Sequence, residues 1–287
     1  MTQPYRFLII DGYAKSSRCE LEDAGCSTAS DLFKGLLERY SQGCQVDMAF
    51  PSDDDKFSMT DSDISAYQGV IWTGCNLTIY DKEDARVTRQ VNLARQVYNV
   101  GVPQFGSCWA AQMAVYAAGG TVQPHPKGRE MGLARKISLT PEGRSHPMYE
   151  GKPTVFEGYI SHDDEITHMP AGGLILSGNS YTRVQSVAVR HLNGTFWATQ
   201  YHPEYDLKEI ARLIYCRADR LIKRGFFKDR DAMQAYVDKM VALYQEPDRK
   251  DLRWELCIDD DVLSDTIRHC EVINWIHKLV NPTAEGL

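Results

Sequence analysis

Val102-Pro-Gln-Phe-Gly-Ser-Cys-Trp-Ala-Ala-Gln112 begins as a short β-rich apolar run, reaches Gly106, and from Trp109 onward consists of helix formers. Cys108 is therefore expected at a strand-to-helix turn. A sharp turn of that kind lifts a side chain above the edge of a sheet, and the helix N-terminus behind it favours an anionic sulfur through its dipole and free N–H groups. Small residues at Gly106, Ser107 and Ala110 let such a turn pack. On this stretch alone, Cys108 as an inert core cysteine remains an open reading.

Outward from this turn, β-rich runs at residues 7–10, 46–50, 70–73 and 102–105 alternate with helical patterns. Between the last two, residues 83–99 place Val87, Val91, Ala94 and Val97 or Tyr98 on one helical face, and Gly101 stops the helix. This alternation predicts an α/β fold in three layers, with a mostly parallel central sheet covered by helices. After Gly119-Gly120, strands at 174–176, 184–189 and 195–201 are the clearest. From about Asp206 the rhythm turns helical. Ile210, Leu213, Ile214 and Leu221, then Met233, Tyr236, Val237, Met240, Val241 and Tyr244, recur at i, i+3, i+4 spacing. Residues 246–251 read as a connector within this tail. The division expected is a catalytic domain over 1–205 and a helical extension over 206–287.

The 287 residues carry 32 basic and 39 acidic side chains, a net charge of −7, with no basic run to track a phosphate backbone, so nucleic acid is not expected as a partner. No apolar stretch approaches the roughly 20 residues a membrane helix needs, and the N-terminal apolar run is too short for a signal-peptide core. The eight cysteines contain no C-x-x-C pair, which argues against a zinc site and for a reducing compartment. A cytoplasmic protein without metal or cofactor is expected. Asp53-Asp54-Asp55 reads as a solvated loop, Asp259-Asp-Asp261 as a helix cap, and Trp72 and Trp197 as core. His125, His168 and His191 receive no role.

Thr195-Phe-Trp-Ala-Thr-Gln-Tyr-His-Pro-Glu204 is a second stretch with chemistry, a strand running into His202 and Glu204. Side chains two apart on an extended backbone point the same way, so Glu204 can orient the His202 imidazole while its other nitrogen takes a thiol proton. Alone, His-x-Glu is a weak signal that favours a satisfied surface histidine; joined to an elbow cysteine it gains meaning.

With both stretches on the page, the chain resembles the class I, or triad-type, glutamine amidotransferases, most closely the amidotransferase domain of GMP synthetase. The resemblance spans roughly residues 5–205. It rests on Ile71-Trp-Thr-Gly-Cys-Asn76, Gly106-Ser-Cys-Trp-Ala-Ala-Gln112, Lys127-Gly-Arg-Glu-Met-Gly132, His146-Pro-Met-Tyr-Glu-Gly151, Ser161-His-Asp-Asp-Glu165 and His202-Pro-Glu204, in the family's order. It departs at Cys75 and Asn76, where the family loop usually has a second glycine and a proline, and at Ala110, where the elbow usually has glycine. The resemblance implies that Cys108 attacks the side-chain amide of glutamine, His202 shuttles the proton and Glu204 orients His202. Backbone N–H groups of Cys75 and Trp109 would hold the oxyanion. Gly74, Gln112 and the Ser161, His162, Asp163 and Asp164 segment would bind the substrate.

Three functions follow as expectations. The first is a glutaminase that supplies ammonia to a separate synthetase, since neither an S-G-G-x-D-S loop nor a Walker-type loop is present. The second is a γ-glutamyl hydrolase acting on a γ-glutamyl amine or peptide. The third is a non-catalytic binding or regulatory module of the same fold. The helical tail is expected to pack partly on its own domain and to form a protein–protein interface, with a second copy or an acceptor subunit. Removal of residues from about Pro247 onward is then expected to leave the triad assembled.

Overall fold

In the computed structural model, which describes residues 4–282, the strands in chain order are β1 (Arg6–Ile10), β2 (Gln45–Ala49), β3 (Gly69–Trp72), β4 (Gln104–Ser107), β5 (Thr121–Pro124), β6 (Glu130–Leu139), β7 (Val155–His162), β8 (Asp164–His168), β9 (Gly173–Gly178), β10 (Ser186–His191) and β11 (Gly194–Thr199). Nine form one sheet in the order β2-β1-β3-β4-β11-β10-β9-β6-β7, and β5 pairs with β8 apart from it. The pairs from β2 to β11 are parallel, and those from β11 to β7 antiparallel. The expected parallel sheet is thus the half that carries the elbow, and the later strands extend it as hairpins.

Successive side chains on a strand point to opposite faces, and β1 shows what each face meets. Leu8 and Ile10 pack with helices Ala85–Val100 and Trp109–Ala117. Phe7 and Ile9 pack with helix Ala29–Tyr40 and with Val272, Trp275 and Ile276. The three layers expected are present, and the C-terminal segment contributes to one of them. Asp84 caps helix Ala85–Val100 by accepting from Arg86 N, and Gly101 ends it at φ 92°, a left-handed conformation that suits glycine.

Within the extension, helices Leu207–Cys216 and Arg230–Gln245 pack around Leu213, Met233, Val237 and Met240 in a third apolar cluster that includes Tyr13 and Tyr205. Trp275 lies fully buried between Phe7 and Phe105, with ring centroids 5.8 and 5.9 Å away. A Cβ on Gly69 would stand 2.6 Å from the Trp275 ring, so glycine at that position makes its seat. Glu271, fully buried, receives Lys152 Nζ at 2.8 Å and the Tyr201 hydroxyl.

Asp259 caps helix Asp260–Leu263, as expected, while Asp261 accepts from Glu157 N at 2.6 Å and so docks the tail on β7. Asp53, Asp54 and Asp55 are exposed, as expected of a solvated loop, and Asp53 pairs with Arg18 at 2.5 Å. Trp72 and Trp197 are buried. No helix among the described residues is long and apolar enough to cross a membrane.

Candidate active site

Three adjacent parallel strands, β3, β4 and β11, end side by side, and the residues that follow them are Gly74, Cys108 and His202. Ligands of open α/β sheets bind at such carboxyl ends. Cys108 has φ 58° and ψ −107°, a strained conformation for a residue with a Cβ. Its N–H donates to Thr199 O at 2.7 Å, which ties the turn to the end of β11. A Cβ on Gly106 would stand 2.3 Å from Trp72 O and 2.4 Å from Ala110 Cβ, so strand and helix approach this closely only over glycine.

The Cys108 sulfur lies 3.5 Å from Ser161 O, and His202 lines the same cleft. His202 Nδ1 hydrogen-bonds Glu204 Oε1 at 2.7 Å, and its ring stacks on Tyr205 at 4.0 Å and 3°. Burial opposes the charged imidazole, but the Glu204 carboxylate and Cys108 outweigh it and raise the His202 pKa to about 9. Ser107 Oγ donates to the same Glu204 oxygen at 2.7 Å. The sequence reading treated Ser107 only as a small residue; nothing but its place beside Cys108 signals this role.

A Cβ on Gly74 would stand 3.2 Å from both Cys108 Cβ and His202 Cε1, so the β3 loop passes over the sulfur and ring with its backbone. Trp109 is the first residue of its helix, where an N–H has no partner within the helix. Cys75 follows Gly74, and desolvation pushes its thiol well up, leaving a neutral side chain there.

Cys108, His202, Gln112, Ser161 and Asp163 line one cleft of about 1130 Å3. Gln112 is buried and within 3.5 Å of Gln200 Oε1. The side chains of the Ser161–Asp164 segment are largely engaged. His162 has both ring nitrogens occupied, Nδ1 at 2.8 Å from Asp164 O and Nε2 at 3.1 Å from Glu130 Oε2. Burial would raise the Glu130 carboxyl, but bonds from His162, Thr182 and Asn179 hold it below the usual glutamate range. Asp164 accepts from the Tyr80 hydroxyl at 2.9 Å, and burial raises its carboxyl. Asp163 is paired with Arg129 and Arg224. What this segment offers a substrate is therefore chiefly backbone.

Arg129, Arg217, Arg220 and Arg224 also line the cleft, and the sequence reading passed over all four. Positions 217, 220 and 224 recur at i, i+3 and i+7, one helical face, and that pattern is the signal that was available. Among the described residues no group of three or more His, Cys, Asp or Glu is placed to hold a metal ion.

Residues 21–215 match the family described as "Glutamine amidotransferase class-I". The chain belongs to that family. It is 30% identical over 288 residues to a gamma-glutamyl-L-1-hydroxyisopropylamide hydrolase of a Pseudomonas species, covering 98% of this chain and 95% of that protein. It is 31% identical over 109 residues to the GMP synthase [glutamine-hydrolyzing] of Thermosipho africanus, where the match covers 38% of this chain and 20% of that protein. A crystal structure of a glutamine amidotransferase from Thermotoga maritima superposes with a TM-score of 0.67 at 14% identity, covering 97% of this chain and 99% of that one, which establishes the fold, C-terminal helices included.

Proposed function

We propose that this family member is a cysteine-dependent hydrolase of γ-glutamyl amides. The Cys108 sulfur attacks the γ-carbonyl carbon, and the oxyanion that develops is held by the N–H groups of Trp109 and Cys75. His202 takes the thiol proton and gives it to the departing amine nitrogen as the C–N bond breaks, leaving a γ-glutamyl thioester on Cys108. Water, deprotonated by His202, then attacks the thioester carbon and releases glutamate and the thiol. Glu204, held by Ser107, keeps the ring oriented and stabilises its protonated form.

The observation that carries the choice of substrate is the likeness over 98% of the chain to a γ-glutamyl amide hydrolase, where the likeness to GMP synthase stops at 38% in the match described above. The cleft agrees with it. Its volume of about 1130 Å3 slightly exceeds the usual range of small-molecule pockets, about 300–1,000 Å3, and leaves room for an amine larger than ammonia. The ammonia-supplying glutaminase is the competing reading, favoured by Ser161-His-Asp-Asp-Glu165 and the partial likeness to GMP synthase. Release of glutamate from glutamine and from γ-glutamyl alkylamides, each compared as kcat/KM, separates the two. The hydrolase reading expects the alkylamides to be cleaved at least tenfold better, and a preference for glutamine would reverse it.

A further inference from the structure

One buried hydroxyl fastens the end of β3 to the end of β1. Thr73 Oγ1 accepts from Gly12 N at 3.0 Å and donates to Gly74 O at 2.9 Å, while Asp11 Oδ1 stands farther off at 3.5 Å. Thr73 is 1% exposed, so water does not compete for either bond. Gly12 is itself anchored. Ser52 Oγ donates to Gly12 O at 2.7 Å, and Gln90 Nε2 donates to Ser52 Oγ at 3.1 Å. The side chain of Cys75 packs on the same glycine, where an added Cβ would stand 3.1 Å from both its Cβ and its Sγ.

What this anchor holds is the peptide group between Gly74 and Cys75. A trans peptide is planar, with its carbonyl and N–H directed oppositely, so fixing the Gly74 carbonyl also aims the Cys75 N–H. The order of the sheet supplies the direction. β3 lies between β1 and β4, so the carbonyl is drawn to the β1 side and the N–H is turned toward β4, whose next residue is Cys108. Among the described residues the Cys75 N–H donates to no protein acceptor, which leaves it available to a ligand. Glycine at 74 leaves the bonds flanking this peptide free to rotate. Without the hydroxyl, that rotation would present the Gly74 carbonyl, which repels an oxyanion, in place of the N–H.

We infer that Thr73 is the positioning residue of the oxyanion site: its hydroxyl, resting on Gly12, holds the Gly74–Cys75 peptide with the Cys75 N–H aimed at the oxygen that becomes negative as the Cys108 sulfur attacks. The inference rests on the hydrolase reading above and adds to it a residue that acts through the backbone alone. A donor fixed before the charge develops needs no reorganisation when it does.

Thr73→Val keeps the shape of the side chain and removes the hydroxyl. It is assayed on a γ-glutamyl alkylamide or on glutamine, whichever the parent cleaves faster. The kcat is expected to fall roughly 10- to 100-fold with KM within about threefold, because the N–H is needed when the oxyanion forms. Thr73→Ser retains the hydroxyl and should stay within about threefold of the parent in kcat. Alkylation of Cys108 by iodoacetamide joins sulfur to carbon, expels iodide and forms no oxyanion. Its rate, read from the mass of the Cys108 peptide, should therefore match in Thr73→Val and the parent within about twofold. Thr73→Ala takes the same tests if Thr73→Val does not fold. Parental kcat in Thr73→Val overturns the assignment, and so does a Thr73→Ser variant as slow as Thr73→Val. An alkylation rate that falls in step with kcat also overturns it, by placing the defect in the Cys108 thiol and not in the oxyanion donor. A preference for glutamine reverses the choice of substrate and leaves Thr73 in its role, since both amides pass through the same oxyanion. Cleavage of neither by the parent overturns the hydrolase reading and the assignment with it.

Discussion

The cleft is lined by Cys108 and His202 at the ends of β4 and β11, with Glu204 behind the imidazole, all three buried and one carboxylate matched to one imidazole. Arg129, Arg135, Arg217, Arg220 and Arg224 line the same cleft, with the carboxyl groups of Glu130, Asp163 and Asp164. The first group is rigid because parallel strands fix it, the turn at Cys108 is strained, and glycines at 74 and 106 allow closest approach. The second draws Arg217, Arg220 and Arg224 from the segment after residue 216 and faces solvent in part. Balanced charge in a dry setting suits bond making and breaking. On the proposed function, the sheet would supply the reaction chemistry and the C-terminal segment part of the lining around it.

The bluntest way to break that division is to remove the C-terminal segment. The sequence reading expected a chain cut before Pro247 to keep its triad assembled. The structure changes that expectation, because Glu271 and Trp275 sit in the core of the sheet's second face. Truncation at 247 should abolish cooperative unfolding as well as activity, measured by thermal melts and glutamate release. A truncated chain with an intact melt would show the extension to be an attachment after all. A gentler version is Glu271→Gln, which leaves Lys152 buried without a counter-charge and should cost about 3 kcal/mol of stability, read from denaturant midpoints.

Next in size are changes to the reactive residues. Cys108→Ala should lower hydrolysis by at least about four orders of magnitude with the melt unchanged within a few degrees. Residual turnover within tenfold would mean a different nucleophile. Glu204→Gln should cost about 10²- to 10³-fold in kcat and alter the pH profile. Glu204 and Cys108 raise the His202 pKa to about 9, so His202 holds the proton it gives to the departing amine up to about that pH. The alkaline fall in kcat/KM is therefore expected near pH 9 in the parent and at a lower pH in Glu204→Gln, where burial is less opposed. Since this pKa is raised on folding, the stability His202 contributes is complete below about pH 6.5 and lost as pH rises through about 9. An alkaline limb that stayed put in the variant would detach it from His202. Ser107→Ala, smallest of these, should cost about tenfold in kcat by freeing one Glu204 oxygen; unchanged kcat would reduce Ser107 to packing.

The reactive residues were legible because their signals are local. A β-rich run, a glycine and a helix former series lie within eleven residues around Cys108, and His202 and Glu204 share two residues of spacing. Periodicity also exposed the tail helices. Their destination was not legible, since the Trp275 seat is made by Gly69, Phe7 and Phe105, none near it in the chain. The arginines were missed for a different reason. Charged residues at helical spacing usually mark a solvated face, and only the fold brings Arg129, from a loop before β6, onto Ser161 together with Arg217.

Trp275 also fixes an order of events during synthesis. Its partners Phe7, Gly69 and Phe105 leave the ribosome long before it does, so one face of the parallel sheet stays uncovered while some 170 further residues are added. Contacts of such long sequence separation form late and slowly, and exposed apolar surface in the interval invites aggregation. The strained turn at Cys108 must be held by a sheet whose final covering arrives last. A chaperone that shields apolar β-strand faces would therefore be expected to raise the yield of folded protein.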